Sequence, residues 1–169
     1  MPLAERIPLP SKLGLLAALG SGALLGGAYY FQYVVGLAPC EMCYWQRWPH
    51  MVAIGVGLLA LASFAWPRLA LVLALGAIGA LLVTAAIGVF HAGVEYHWWA
   101  GPQACSGNVP VGLSSEELKK YLFGAKMVRC DETAWAMWGI SMAGWNAILS
   151  AALAVALGSV VANWMRSRP

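Results

Sequence analysis

Pro39-Cys40-Glu41-Met42-Cys43-Tyr44-Trp45-Gln46-Arg47-Trp48-Pro49-His50 separates two long uncharged runs. Upstream, no Asp, Glu, Lys or Arg occurs from Leu13 to Cys40. Downstream, none occurs from Trp48 to Pro67. A helix rises 1.5 Å per residue, so about 20 apolar residues cross a hydrocarbon core of about 30 Å. Both runs reach that length. The stretch therefore lies at a membrane edge between two spans, which decides the fold class.

Composition agrees. Of 169 residues, 61% are hydrophobic and 10% charged, and the mean hydropathy is +0.70. A soluble domain has about a quarter of its residues charged, and a core of this size cannot hide so much apolar surface. The formal charge of +3 shows no basic stripe and gives no argument for nucleic acid.

Four spans are expected, at 13–35, 48–66, 69–90 and 142–164, joined into one unit over 1–169 without internal repeats. The first is too long for the apolar part of a signal peptide and reads as an uncleaved span. Gly22 and Gly26 have the small-xxx-small spacing that lets helices approach closely. Four spans put both termini and the Pro67-Arg68 turn on one side. The Cys40–Cys43 connection and the loop 91–141 lie on the other. Counting cations leaves a tie, with Arg6, Lys12, Arg68, Arg166 and Arg168 against Arg47, Lys119, Lys120, Lys126 and Arg129. The first group is concentrated in short segments, which favours cytoplasmic termini. All four cysteines then face an oxidising compartment, where disulfides persist.

The long loop is not expected to be structureless. Ser114-Ser-Glu-Glu117 fits a capping box. Leu118, Tyr121, Leu122 and Met127 follow at helical spacing, predicting a short amphipathic helix on the membrane surface or an ordinary solvated one. Cys105 and Cys130 bracket it.

A CxxC can be a zinc half-site, a haem attachment motif or a redox dithiol. Zinc wants four closed ligands, and c-type haem needs His where Tyr44 stands. Closely spaced cysteines form a strained ring that is readily reduced, which favours reversible over structural use. If residues 40–48 begin the second helix, both sulfurs lie in its first turn, where free backbone N–H groups favour a thiolate. Arg47, four residues after Cys43, would lie over that sulfur and favour negative charge on it. Pro49 either kinks this helix or marks its start. The third span ends in His91-Ala-Gly-Val-Glu95-Tyr-His97-Trp98-Trp99. His97 is expected to offer a proton or hydrogen bond to a carbonyl ligand. Glu95 would hold its imidazole or pair with Arg47. His50 and His91 are read as headgroup contacts, and the tryptophans as an interfacial belt.

Pro-Cys-x-x-Cys-x-x-x-Arg after a first span, a Glu/Tyr/His cluster ending the third, and two further loop cysteines resemble the DsbB family of disulfide-generating membrane proteins. Cys130-Asp-Glu-Thr-Ala-Trp135, with Gly139 and Trp145, resembles that family's lead into the fourth span. The resemblance covers nearly the whole chain. It implies an all-α membrane protein: a four-transmembrane-helix bundle with a long periplasmic loop carrying a short amphipathic helix, in the bacterial inner membrane. It implies a thiol:quinone oxidoreductase that reoxidises a DsbA-like periplasmic thiol oxidase and passes electrons to ubiquinone or menaquinone. Cys40 and Cys43 would be the membrane-proximal redox pair. Cys105 and Cys130 would be the pair that meets the partner. Arg47 would lie at the quinone, with His97 as the third-span histidine. A Cys105–Cys130 bond would also staple the loop, worth roughly 3 kcal/mol by chain entropy.

Three rivals share parts of this pattern: a non-catalytic four-span scaffold with a stapled outer loop, a haem electron carrier using His50, His91 or His97, and an enzyme like vitamin K epoxide reductase. The scaffold gives no reason for Arg47 beside a CxxC, and the last fits the motif layout less well.

Overall fold

The computed structural model describes residues 7–102, 105, 114–116 and 128–167. Four long helices carry the fold: α1 (Leu9–Tyr33), α2 (Glu41–Ala62), α3 (Pro67–Glu95) and α4 (Met142–Arg166). Pro occupies the first turn of α1 and of α3, where its missing N–H costs nothing. Ser141 caps α4, its hydroxyl accepting from the Gly144 N–H at 3.2 Å.

α1, α3, α4 and the C-terminal half of α2 bury stripes rich in small residues. On α3 the stripe is Ala70, Ala74, Ala77, Leu81, Thr84, Gly88, His91 and Glu95, steps of four and three in strict alternation. On α4, Ala143, Ala147, Ser150, Ala154, Leu157 and Val161 repeat the pattern. Such a stripe returns to the same face twice in every seven residues and lets helices pack closely. α3 lies against the other three helices. Leu13, Ala17, Ala77, Ile78, Leu81, Ala154, Leu157 and Val161 form the core between α1, α3 and α4. Large side chains such as Leu19, Leu58, Val72 and Val155 point outward, the arrangement a lipid solvent favours.

Close approach does not occur where Gly22 and Gly26 predicted it: nothing lies within 4 Å of a Cβ added at either. It occurs at Gly14 on α1 and Gly57 on α2. A Cβ on Gly57 would run into the Gly14 carbonyl and lie 3.0 Å from the Ala18 Cβ.

The helix ends depart from the expected spans in an informative way. α2 starts at Glu41 and runs through Pro49, so Pro49 does not mark its start. α3 runs past residue 90 to Glu95. Three helices, α1, α3 and α4, are long and apolar enough to cross a membrane. α2 is not among them, because its first three turns carry Glu41, Gln46, Arg47, Pro49 and His50.

The all-α expectation has one exception. β1 (Ala136–Met137) and β2 (Ile140–Ser141) form an antiparallel ribbon pairing Ala136 with Ser141 and Met137 with Ile140. Trp138 and Gly139 turn it with φ of 53° and 78°, the left-handed pair that tight hairpins require. Tyr96 ties the ribbon to the end of α3: its hydroxyl donates to the Gly139 carbonyl at 3.0 Å and accepts from the Ser141 N–H at 2.8 Å. The amphipathic helix expected after Ser114 lies almost wholly outside the described residues.

Candidate functional site

The C-terminal end of α3 and the N-terminal ends of α2 and α4 meet at one end of the bundle, and the cysteines gather there. Cys40 is the N-cap of α2, and its sulfur accepts from the Cys43 N–H at 3.3 Å. Both sulfurs therefore lie at the first turn, as the spacing predicted. They are unbonded thiols 2.9 Å apart. Sharing a proton with Cys43, then burial, pushes the Cys40 thiol up from its ordinary value. Cys105 and Cys130 are joined in a disulfide. Arg129 forks onto both Asp131 carboxylate oxygens at 2.9 and 2.6 Å beside it.

The two cysteine pairs share one buried cluster, formed by Cys40, Met42, Val94, Cys105 and Cys130 with Cys43 and Val128 against it. The Cys40 and Cys130 sulfurs and a ring nitrogen of His91 all lie within 4.8 Å of one another. None of the three is more than 4% exposed. The fold thus brings one pair's sulfur to face the other's.

Cys43 is only half-buried, and it faces a cavity of about 460 Å³. The cavity lies between α1 and α4, with α2 and α3 behind it. Its apolar wall includes Leu24, Ala28, Phe31, Trp135, Met142 and Leu149. Its polar wall is Cys43, Gln46, Arg47, His50, His91, Glu95 and Asn146. Trp135 packs on Phe31 with ring centroids 4.9 Å apart, closing one side. Arg47 is buried. It donates to Gln32 Oε1 at 2.6 Å and lies over the rings of Tyr29 and Tyr44 at 5.0 and 5.2 Å. It is held by protein groups rather than reaching for headgroups, because an uncompensated buried cation would be costly.

Glu95 also lines the cavity, 4.0 Å from the His91 ring, and its Oε2 has no partner among the described residues. It does not pair with Arg47. His97 does not reach the cavity. It follows the end of α3 at φ 60° and is exposed. One residue past the C-cap, the chain leaves the helical face, so His97 loses the register that Glu95 keeps. The histidine brought to the site is His91, 3.5 Å from the Cys40 sulfur through Nε2. The reading of His50 and His91 as headgroup contacts is corrected in the same way: both are buried and hydrogen-bonded inside the bundle. Gln46, Thr84 and Asn146 were not singled out from sequence. The signal was there in part, since Thr84, His91 and Glu95 extend the small-residue stripe of α3.

Residues 10–160 match the family model for disulfide bond formation protein DsbB. The chain belongs to the DsbB family. Proteins named disulfide bond formation protein B from Polaromonas naphthalenivorans and Verminephrobacter eiseniae are 30% and 32% identical to it. These matches cover 94% and 93% of this chain and 95% and 89% of theirs. One from Idiomarina loihiensis is 32% identical over 82% of this chain and 77% of its own. No solved structure matches. Membership in the DsbB family makes the chain a disulfide-forming oxidoreductase, and its long apolar helices make it a membrane protein. A non-catalytic scaffold is thereby set aside.

Proposed function

We propose that this chain takes electrons from a DsbA-like dithiol partner outside the membrane and delivers them to a membrane quinone, ubiquinone or menaquinone. The observation that carries this reading is the meeting of Cys130, Cys40 and His91 within 4.8 Å, at the wall of a cavity that Cys43 also faces.

The partner's thiolate attacks Cys105, breaking Cys105–Cys130 and leaving the electron pair on Cys130. With Cys40–Cys43 oxidised, Cys130 attacks Cys40, and Cys43 departs as a thiolate. Cys43 then stands at the cavity with Arg47 one helical turn along α2, a cation suited to an anionic sulfur. The partner's second thiol then displaces Cys105. Cys105 attacks Cys130, so that Cys105–Cys130 re-forms and Cys40 departs, and Cys40–Cys43 re-forms as two electrons pass to the acceptor. A quinone supplies the sink for two electrons and two protons. A DsbA-type partner is itself a strong oxidant, so an ordinary dithiol would not serve as acceptor.

The residues present fit such a group. The Arg47 guanidinium suits a ring carbonyl. Glu95 Oε2, unpaired among the described residues, would accept from a hydroxyl of the reduced ring, and the apolar wall suits the ring and tail. Arg47 and Glu95 would hold it. Trp135 and Phe31 would exclude water.

α2 is proposed as the fourth span. It packs along α1 and α3, and the 22 residues of α2 rise about 33 Å. The cysteine end would face the periplasm and the termini the cytoplasm of a bacterial inner membrane.

The test uses the purified full chain, the reduced partner and a soluble short-chain quinone, followed at the quinone absorbance. Wild type should reduce the quinone and Cys43→Ser should not. An unchanged absorbance with wild type across ubiquinone and menaquinone analogues would overturn the reading.

A further inference from the structure

Gln46, Thr84, His91 and Asn146, with His50, Ser21 and Ser150 behind them, form one hydrogen-bonded chain, and its direction can be read. Thr84 has a single hydroxyl proton, given to the Gln46 backbone carbonyl at 3.0 Å. A carbonyl only accepts. Thr84 Oγ1 must therefore accept at its 3.1 Å contact with Asn146, which sets Nδ2 of that amide toward it. The same Nδ2 lies 2.7 Å from the Gln46 amide, which must present Oε1 there. Gln46 Nε2 then faces a second backbone carbonyl, that of Met42 at 3.4 Å, so two carbonyls require the same orientation. Nε2 of Gln46 also lies 2.7 Å from His91 Nδ1. An amide nitrogen cannot accept, so Nδ1 does. Neutral His91 thus carries its proton on Nε2, 3.5 Å from the Cys40 sulfur. Glu95 Oε1, at 4.0 Å from the same nitrogen, is beyond hydrogen-bond reach.

Behind Asn146 the chain closes consistently. Its Oδ1 accepts from Ser150 Oγ at 3.3 Å and from His50 Nε2 at 2.9 Å. His50 Nδ1 is left to accept from Ser21 Oγ at 3.3 Å. In this state the Nε2 proton and the Cys105–Cys130 disulfide occupy two of the three donors of the Cys40, His91 and Cys130 group.

We propose that Gln46, oriented by Asn146 and Thr84, is a positioning residue that holds His91 as an Nε2–H donor to the Cys40 sulfur. This bond stabilises Cys40 as a departing thiolate. The inference rests on the proposed exchange between Cys40 and Cys130. When Cys105 attacks Cys130 in the mixed Cys40–Cys130 disulfide, the Cys105–Cys130 bond forms and the Cys40–Cys130 bond breaks. The electron pair stays on Cys40. One disulfide replaces another, and the proton remains on Nε2, shared with the sulfur. A thiolate formed at a site 4% exposed has little water to stabilise it, so a fixed donor matters there.

Two measurements on the full chain in detergent micelles test this. Nitrogen-15 spectra of the histidine rings, with His91 assigned by loss of its signals in His91→Gln, report the tautomer directly. Wild type should show a protonated Nε2 and a bare Nδ1. Gln46→Met, and more mildly Thr84→Val, should give a tautomer mixture. A protonated Nδ1 in wild type would overturn the proposal. The second measurement uses Cys43→Ser/Cys105→Ser, in which Cys40 and Cys130 remain to pair. Adding Gln46→Met should slow reduction of their disulfide by dithiothreitol about tenfold, the scale of one hydrogen bond to a charged group. An unchanged rate overturns this inference alone. Failure of Cys40 and Cys130 to form a disulfide at all overturns the exchange on which it rests.

Discussion

Cys40 and Cys43 differ in surroundings although they are three residues apart. Cys40 is 4% exposed beneath Cys130 and His91, whereas Cys43 is half-buried at the cavity wall. Reagents entering through the cavity meet Cys43 first. Brief treatment of the protein with Cys40 and Cys43 reduced, using a small maleimide, is expected to label Cys43 before Cys40, read by peptide mass spectrometry. Equal labelling would contradict the division of roles. The two histidines near the end of α3 give a second contrast. His91→Ala removes the donor at Cys40 and leaves the Gln46 amide facing a hole, so turnover should fall by at least about tenfold. His97→Ala touches an exposed ring, and stability should stay within about 0.5 kcal/mol with turnover little changed. Comparable losses from both would restore His97 to the site.

At the scale of the element, contact between α1 and α2 depends on Gly14 and Gly57, whose backbones meet without side chains between them. Gly57→Leu must push the helices apart and is expected to cost about 1–3 kcal/mol, seen as a lower thermal midpoint in detergent. Gly26→Ala, with open space around it, should leave the midpoint nearly unchanged. This contrast also shows how far the sequence could be read. Small-xxx-small spacing marks helices able to approach, and Gly22 and Gly26 satisfy it. Which glycine faces a partner depends on the rotation of each helix about its axis, which neighbouring helices set. A start of α2 near Cys40 was one of two readings the spacing of Cys40, Cys43 and Arg47 left open, the other being a start at Pro49; the Cys40 cap decides it. Its continuation through Pro49 was not, because the buried contacts of Gln46, Arg47 and His50 hold that turn despite the missing N–H. The ribbon at Ala136–Ser141 was missed for a similar reason: two-residue strands carry no periodicity, and only the Trp138-Gly139 turn announces them.

For the whole molecule, α1 and α3 end where α2 and α4 begin, so the cysteines gather at one end and the Pro67 turn and Arg166 lie at the other. A reporter that fluoresces only in the cytoplasm, fused after Ser167, is expected to be bright. A thiol label too polar to cross the membrane, added to intact cells after reduction, should reach a cysteine introduced at Trp138 but not one introduced at Trp66. The reverse pattern would invert the proposed orientation. The four cysteines gather at one end because α2 and α3 run out and back between Cys43 and Cys105, an arrangement the uncharged runs made foreseeable. By itself the sequence determined the membrane class, the presence of long apolar helices and the family, because hydropathy, spacing and motif are local or pairwise along the chain. The start of α2 at Glu41 rather than 48 and the end of α3 at Glu95 rather than 90 needed the structure. Only the tertiary structure decided that His91 rather than His97 meets Cys40, that Cys130 faces Cys40, and that Gln46, Thr84 and Asn146 set the direction of the hydrogen bonds between them. Those residues lie on three different helices, and their contacts exist only once helix rotation and the end of α3 are fixed by packing.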